Sequence, residues 1–365
     1  MSSTPVPPYG RAALRTVQVL GGGSAGSSAH VRSLTTGLAA RGVRVTVCAP
    51  VRTEGEFDFT GAGARFTPAA VSALRSACAG ADVVHAHGLQ AGVRAALALH
   101  GRRVPLVVTW QAGPAVEGPL GQLTRLLERR VARAASVVLG ASSDQVDLAR
   151  LRGARDARLA AVTVPPARGA VARGKESKIR AELGAMGRPM VVAVGSLVPR
   201  RGYQVLLDAA RNWRGLDPAP LLVIAGEGPQ RPLLERRIEA EGLPVMLLGR
   251  REDVPELLAA ADVAVLTSRW EARSLLAQEA LRSGVPLVAT AVGGVPDLVG
   301  DAAVLVPYGD AAALDGAVTG LLADPGHRTR LSVAGPAQAA TWPSEDDTVA
   351  QVLAVYDELT ERGRI

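Results

Sequence analysis

Glu271 and Glu279 stand at either end of the run Glu271-Ala272-Arg273-Ser274-Leu275-Leu276-Ala277-Gln278-Glu279. Val263–Leu266 before it is a strand-sized apolar segment, and Leu275–Ser283 has helical spacing. Glu271 is therefore expected on the loop after a strand, and Glu279 within the first turns of the next helix. Two carboxylates so placed can hold hydroxyls of one polar ligand. The amides of Ser274, Leu275 and Leu276, at the helix N-terminus, lack intrahelical partners and favour phosphate. A plainer role fits this segment alone equally well: one acid complementing the helix dipole and one solvated glutamate.

A second candidate is Gly21-Gly22-Gly23-Ser24-Ala25-Gly26, whose first, third and sixth residues match a dinucleotide-binding turn between a strand and a helix. That chemistry also needs an acid about 20 residues on, to bind ribose hydroxyls. The second strand instead ends Val47-Cys48-Ala49-Pro50. The glycines then serve either close packing or an anion or acceptor site. Among the histidines, His85 is expected as a structural strand-end residue and His87 as a member of the site, with His30, His100 and His327 on the surface.

These residues need elements to hold them. The chain alternates strand and helix, the pattern of a parallel sheet covered by helices. Strands are expected at Thr16–Leu20, Val43–Cys48, Asp82–His85, Leu106–Thr109 and Ser136–Gly140. A second set follows at Met190–Val194, Pro220–Ala225, Val245–Leu248, Val263–Leu266 and Pro286–Ala289. Between the sets, Val164-Pro165-Pro166-Ala167-Arg168-Gly169 breaks the pattern. Two tandem Rossmann-like domains result, over 12–170 and 171–340, with a last helix in 341–365. Ligands of such sheets sit outside the strands' carboxyl ends, so a tandem pair implies a cleft.

The length of 365 residues suits two domains, and 48% hydrophobic with 21% charged residues supports packed cores. Residues 1–170 carry 20 Arg, no Lys and 9 acids, a net of +11, against −4 for the rest. A basic first half points to an anionic acceptor or a membrane surface. Nucleic acid is disfavoured by the 3% aromatic content and the absence of a basic run. The helix Leu120–Ala134 sets Leu120, Leu123, Leu127 and Val131 on one face. Arg125, Arg129, Arg130 and Arg133 cover the rest, a design for anionic lipid or a solvated back face. Cys48 and Cys78 form neither a disulfide framework nor a metal motif. No apolar run approaches ~18 residues, and the polar, Pro-rich start lacks a leader pattern, so the expectation is a cytoplasmic protein, at most peripheral at the inner membrane face.

The ordered motifs carry a family resemblance. They are Val194-Gly195-Ser196-Leu197-Val198-Pro199-Arg200-Arg201-Gly202, Ala225-Gly226-Glu227-Gly228-Pro229, Leu248-Gly249-Arg250, Ala260-Ala261-Asp262-Val263, the Glu271/Glu279 pair and Gly293-Gly294-Val295-Pro296-Asp297. Asp82-Val83-Val84-His85-Ala86-His87-Gly88 joins them from the first half. Over about Val17–Tyr356 the sequence resembles the retaining glycosyltransferases of group 1 (family 4). The resemblance implies the GT-B fold, two Rossmann-like domains facing across a cleft, with the last helix crossing back to the first domain. It implies a nucleoside-diphosphate sugar donor, UDP- or GDP-linked, and no metal. Arg201 would neutralise the donor diphosphate, Glu271 would lie at the sugar hydroxyls and Glu279 at the ribose. Gly226 and Gly228 would leave room for the nucleotide and Arg250 would lie near the base. Gly22 and Gly23 would line the acceptor side, with His87 and Gln111 at the reacting centre. Ser196, Gln111 and Ser274 replace the family's Arg, His and Gly. The alternatives left open are a nucleotide-binding or partner protein with impaired transfer, and a nucleotide-sugar epimerase.

Overall fold

The computed structural model describes residues 13–22, 25–110, 113, 118–162 and 174–362. The chain divides into two compact units, one formed by Met1–Pro165 with Pro343–Ile365 and the other by Pro166–Trp342. The breaker cluster at 164–169 lies outside the described residues.

Strands buried on both faces read as unbroken apolar runs, which is why the central strands were visible in the sequence. The first unit holds β1 (Arg15–Leu20), β2 (Arg44–Ala49), β3 (Arg65–Pro68), β4 (Val83–His87), β5 (Leu106–Trp110), β6 (Val137–Gly140) and β7 (Ala157–Leu159). They form one parallel sheet in the order β3-β2-β1-β4-β5-β6-β7. The second unit holds β8 (Met190–Val194), β9 (Leu221–Ala225), β10 (Val245–Gly249), β11 (Val263–Leu266), β12 (Leu287–Thr290) and β13 (Val304–Val306). Their order, again parallel, is β10-β9-β8-β11-β12-β13. Both units are Rossmann-like α/β layers. In each, the strand order reverses once, between β1 and β4 and between β8 and β11.

The strand β4 runs to His87, two residues past the expected end, and Leu20 of β1 is its register partner there. Gly21-Gly22 and Gly88 therefore leave the sheet side by side.

The first unit is completed by the helix Glu345–Arg362, which packs on the helix Ala25–Ala40. The two backbones approach so closely that a Cβ on Gly37 would run into Val349. Gln351 locks the helix to the end of β7, accepting from the Ala161 amide at 2.7 Å and donating to the Leu159 carbonyl at 2.8 Å. Arg158 of β7 adds an ion pair to Glu358 at 2.8 Å. Both cysteines are free and buried. No helix among the described residues is long and apolar enough to cross a membrane.

Candidate active site

Open α/β sheets bind ligands outside the strands' carboxyl ends where the strand order reverses. In the second unit that point lies between the loops after β8 and β11. The β8 loop passes through a 3₁₀ turn, Pro199–Arg201, into Gly202, whose φ of 70° is left-handed. A side chain at Gly202 would run into the Thr267 carbonyl. The two loops are stitched there: Thr267 Oγ1 donates to the Arg201 carbonyl at 2.8 Å, and the Arg269 amide to the Arg200 carbonyl at 2.8 Å. This places the Arg201 guanidinium against Glu271, where Nη1 donates to Oε1. Ser268 Oγ donates to the same oxygen at 2.9 Å. Arg201 and Glu271 are 21% and 13% exposed, and Arg201 Nε is buried without a partner among the described residues. Tyr203 closes the floor, donating to the Gly195 carbonyl at 3.0 Å, and burial pushes its phenol up to about 12.

A third loop fixes Glu271 from behind. Gly293 takes φ 54°, and a Cβ there would run into the Glu271 carbonyl and stand 2.7 Å from Trp270 Nε1. The neighbouring Gly294 amide donates to that carbonyl at 2.9 Å. The Gly-Gly motif thus holds the carboxylate's backbone in place.

The helix Leu275–Arg282 follows. Ser274 caps it, its Oγ accepting from the Ala277 amide at 3.4 Å, so the serine that replaces glycine satisfies one of the helix's free donors. The amides of Leu275 and Leu276 lie in the first turn and have no intrahelical acceptor. Leu275 is exposed and Leu276 buried. Glu279 is half-buried, and desolvation raises its carboxyl above the usual range against the pull of Arg282. Arg273 is also half-buried; burial and then Arg282 lower its pKa, and its Nε is buried without a hydrogen-bond partner among the described residues. No ion pair neutralises Arg273 or Glu279 among the described residues. Half-buried charge of both signs without an ion-pair partner on one loop and helix makes this a candidate site for a polar, anionic ligand.

Ser196 and Arg250 are exposed on their loops. Gly226 and Gly228 are required by the protein itself: a Cβ at either would run into the β8 loop, at the Gly195 carbonyl or, 2.5 Å away, the Leu197 carbonyl. Their small size lets the loops after β8 and β9 pack and hydrogen-bond, as in the 2.9 Å bond from the Leu197 amide to the Glu227 carbonyl.

At the β1/β4 reversal of the first unit, His87 is 5% exposed at the end of β4, stacked on His85 with ring centroids 4.3 Å apart. His85 bonds Tyr356 Oη at 2.8 Å and Thr109 Oγ1 at 2.7 Å. Gln18 Oε1 meets His87 Nε2 at 2.9 Å, and Gln18 Nε2 donates to Tyr356 Oη at 2.9 Å. Burial, reinforced by the neighbouring histidines, lowers His85 to about 3 and His87 well below the ordinary value. Both rings are neutral at pH 7. His30 was expected on the surface, but it is 3% exposed and lies edge-on to His87, at 5.9 Å between centroids. The Ala25–Ala40 helix turns it inward.

Gly21 is spent on packing, since a Cβ there would stand 2.8 Å from Gln90 Cβ. Gly22 is exposed, with φ 89°. Gly23 and Gln111 lie outside the described residues. The helix Pro119–Ala134 departs from the expected single apolar face: Val131 is buried, whereas Leu120 and Leu123, with Leu126 from the next face, are more than half exposed. Sequence reasoning missed Gln18, Ser268 and Tyr356. Gln18 alone carried a signal, an amide inside an apolar strand.

Comparisons with known proteins agree with this two-unit α/β fold. Residues 175–338 match the glycosyl transferases group 1 family, and residues 25–165 match the glycosyl transferase 4-like domain. The chain is 31% identical over 350 residues to a D-inositol 3-phosphate glycosyltransferase of Salinispora arenicola, covering 87% of this chain and 78% of that protein. It is 31% identical over 250 residues to the alpha-D-kanosaminyltransferase of Streptomyces kanamyceticus, 65% of this chain, and spans 64% of that protein's length. The structure of HepE from Anabaena with UDP and glucose superposes with a TM-score of 0.82 at 20% identity, over 94% of this chain and all of that one. Two Rossmann-like units of GT-B type, the motif loops gathered at the β8/β11 reversal and these matches together place the chain in the group 1 glycosyltransferase family.

Proposed function

We propose that this protein transfers a glycosyl unit from a nucleoside-diphosphate sugar to a hydroxylated acceptor, with retention of configuration and without a metal ion. The observation that carries this is the Arg201–Glu271 pair held by three loops beside the open first turn of the helix Leu275–Arg282. The departing group in such a transfer is an anionic diphosphate, so the catalytic effect is electrostatic. Arg201 and the amides of Leu275 and Leu276 would stabilise it, and Arg273, which has no ion-pair partner among the described residues, would supply the second cation that Ser196 does not. Glu271 keeps Oε2 for a sugar hydroxyl, since both its internal contacts go to Oε1. Glu279 would take the ribose and Arg250 the base, UDP or GDP.

The acceptor would meet the arginine-rich first unit, near Gly22, Gly23, His87 and Gln111. The names of the relatives support a cyclitol or sugar acceptor, and the charge of this unit suits one that bears phosphate or is linked to lipid. Exposed Leu120, Leu123 and Leu126 among Arg125, Arg129 and Arg130 would further let this unit touch an anionic membrane from the cytoplasmic side.

Calorimetric titration with UDP, GDP, ADP and NAD in chelator tests the donor site, followed by turnover of UDP-glucose or GDP-mannose with an inositol phosphate. Selective micromolar binding of UDP or GDP is expected. No binding of either would overturn the assignment, and binding without turnover against any acceptor would favour a nucleotide-binding protein whose transfer is impaired.

A further inference from the structure

Gln18 is fully buried in the middle of β1, and no step above uses it. It belongs to an unbroken chain of hydrogen bonds that runs from Thr109 through His85, Tyr356 and Gln18 to His87. The directions of these bonds are coupled. The Gln18 amide nitrogen can only donate, so the Tyr356 oxygen accepts there and its own hydrogen goes to His85 Nδ1. His85 then carries its proton on Nε2 and donates to Thr109. The other amide hydrogen of Gln18 reaches Thr16 Oγ1 at 3.4 Å. Gln18 Oε1 can only accept, so His87 carries its proton on Nε2. Among the described residues His87 Nδ1 is buried with no partner, and in this arrangement it is a bare lone pair. Reversing every bond, with the amide turned over, would leave an orphaned buried N–H at the same place, which folded proteins tolerate least.

We infer that Gln18 and Tyr356 are positioning residues, holding His87 in a single neutral tautomer whose Nδ1 accepts a hydrogen bond from a hydroxyl of a bound sugar or cyclitol. A buried neutral acceptor at the end of β4 selects an O–H donor and rejects a phosphate. Tyr356 reaches this site from the C-terminal helix without touching the ligand. The relay stands on geometry alone; its effect on turnover rests on the glycosyl-transfer proposal.

Long-range proton–nitrogen correlation spectra of the full chain, labelled at its five histidines, test this. His87→Asn assigns the signal. Wild type should show His87 as one Nε2–H tautomer between pH 6 and 8. Tyr356→Phe should mix the two tautomers of His87. Thr109→Val also loses a buried hydrogen bond, but on the far side of His85, and should leave His87 unchanged. An Nδ1–H signal for His87 in wild type overturns the inference, as does indifference to Tyr356→Phe. Should Tyr356→Phe fail to fold, the wild-type tautomer still decides. In a transfer assay, Tyr356→Phe should raise the acceptor KM several-fold with kcat less affected. Absence of any transfer by wild type would count against the proposed function and leave the tautomer result standing.

Discussion

Taking the protein from pH 7 to pH 5 should loosen the first unit and spare the second. The cause is His85, whose folded-state pKa of about 3 lies far below its ordinary 6.5 because its ring is buried, with His30 adding repulsion. His87 shifts the same way, and the groups facing the pair are His30 and the Tyr356 hydroxyl. The sign follows from proton counts. Between pH 6.5 and 3 the unfolded chain binds a proton that the folded chain does not, so stability falls as pH falls. At pH 5 the loss from His85 alone is about 2 kcal/mol, 1.5 pH units at ~1.36 kcal/mol each, and His87 adds to it. Carboxylates held low by arginine, such as Asp156 beside Arg158, lose their contribution only as pH falls below their ordinary value near 4. The two windows are therefore separable. Amide hydrogen exchange resolved by peptide, corrected for intrinsic rates, reads the effect at β1, β4 and Glu345–Arg362. The second unit serves as the reference, because its only histidine, His327, is not buried. Equal loosening of both units, or a first unit unchanged down to pH 4.5, would refute the reasoning.

Three further outcomes are expected. Gly293→Ala must displace the Glu271 carbonyl, costing about 1–3 kcal/mol of strain and lowering turnover at least tenfold, with nucleotide affinity changed less; steady-state kinetics and thermal melts check both. Arg201→Ala removes a cation and unpairs Glu271, so UDP or GDP affinity in calorimetry should fall tenfold or more, and chelator should leave wild-type binding unaltered. Arg152→Ala strands Glu128, which is 1% exposed and paired to Arg152 at 2.7 Å, and should destabilise the first unit by about 3 kcal/mol in denaturant titration without altering nucleotide binding.

The second unit's candidate site was legible because its residues lie in contiguous loops. One short run carries Glu271, Arg273, Ser274 and Glu279, and the glycines that let these loops approach are fixed in the same motifs. What the sequence concealed was long-range pairing. Gln18 and Tyr356 are 338 positions apart, and only the sheet order and the returning helix bring them together. The edge strands β3 and β7, read as RFTP and ARL, bury too little for an apolar run to mark them. Asp324-Pro325-Gly326 has turn composition, yet it opens the helix Pro325–Ala339: Asp324 is its cap, accepting from the His327 amide at 2.9 Å, and Pro325 lies in its first turn. His30 was expected on the surface; the structure buries it edge-on to His87, a contact that a local pattern does not contain.

The returning helix also sets an order of manufacture. The ribosome makes the strands β1 to β7 first, yet the buried groups of Gln18 and His85 obtain their phenol only when Tyr356 emerges. The second unit is continuous in sequence, so it can close while the first still waits for its last helix. During that interval the nascent first unit exposes the groove beside Gly37 that Val349 will fill, a surface for chaperones to hold. Loss of the helix Glu345–Arg362 would accordingly damage the first unit, whose strands are made earlier, and leave the second unit intact.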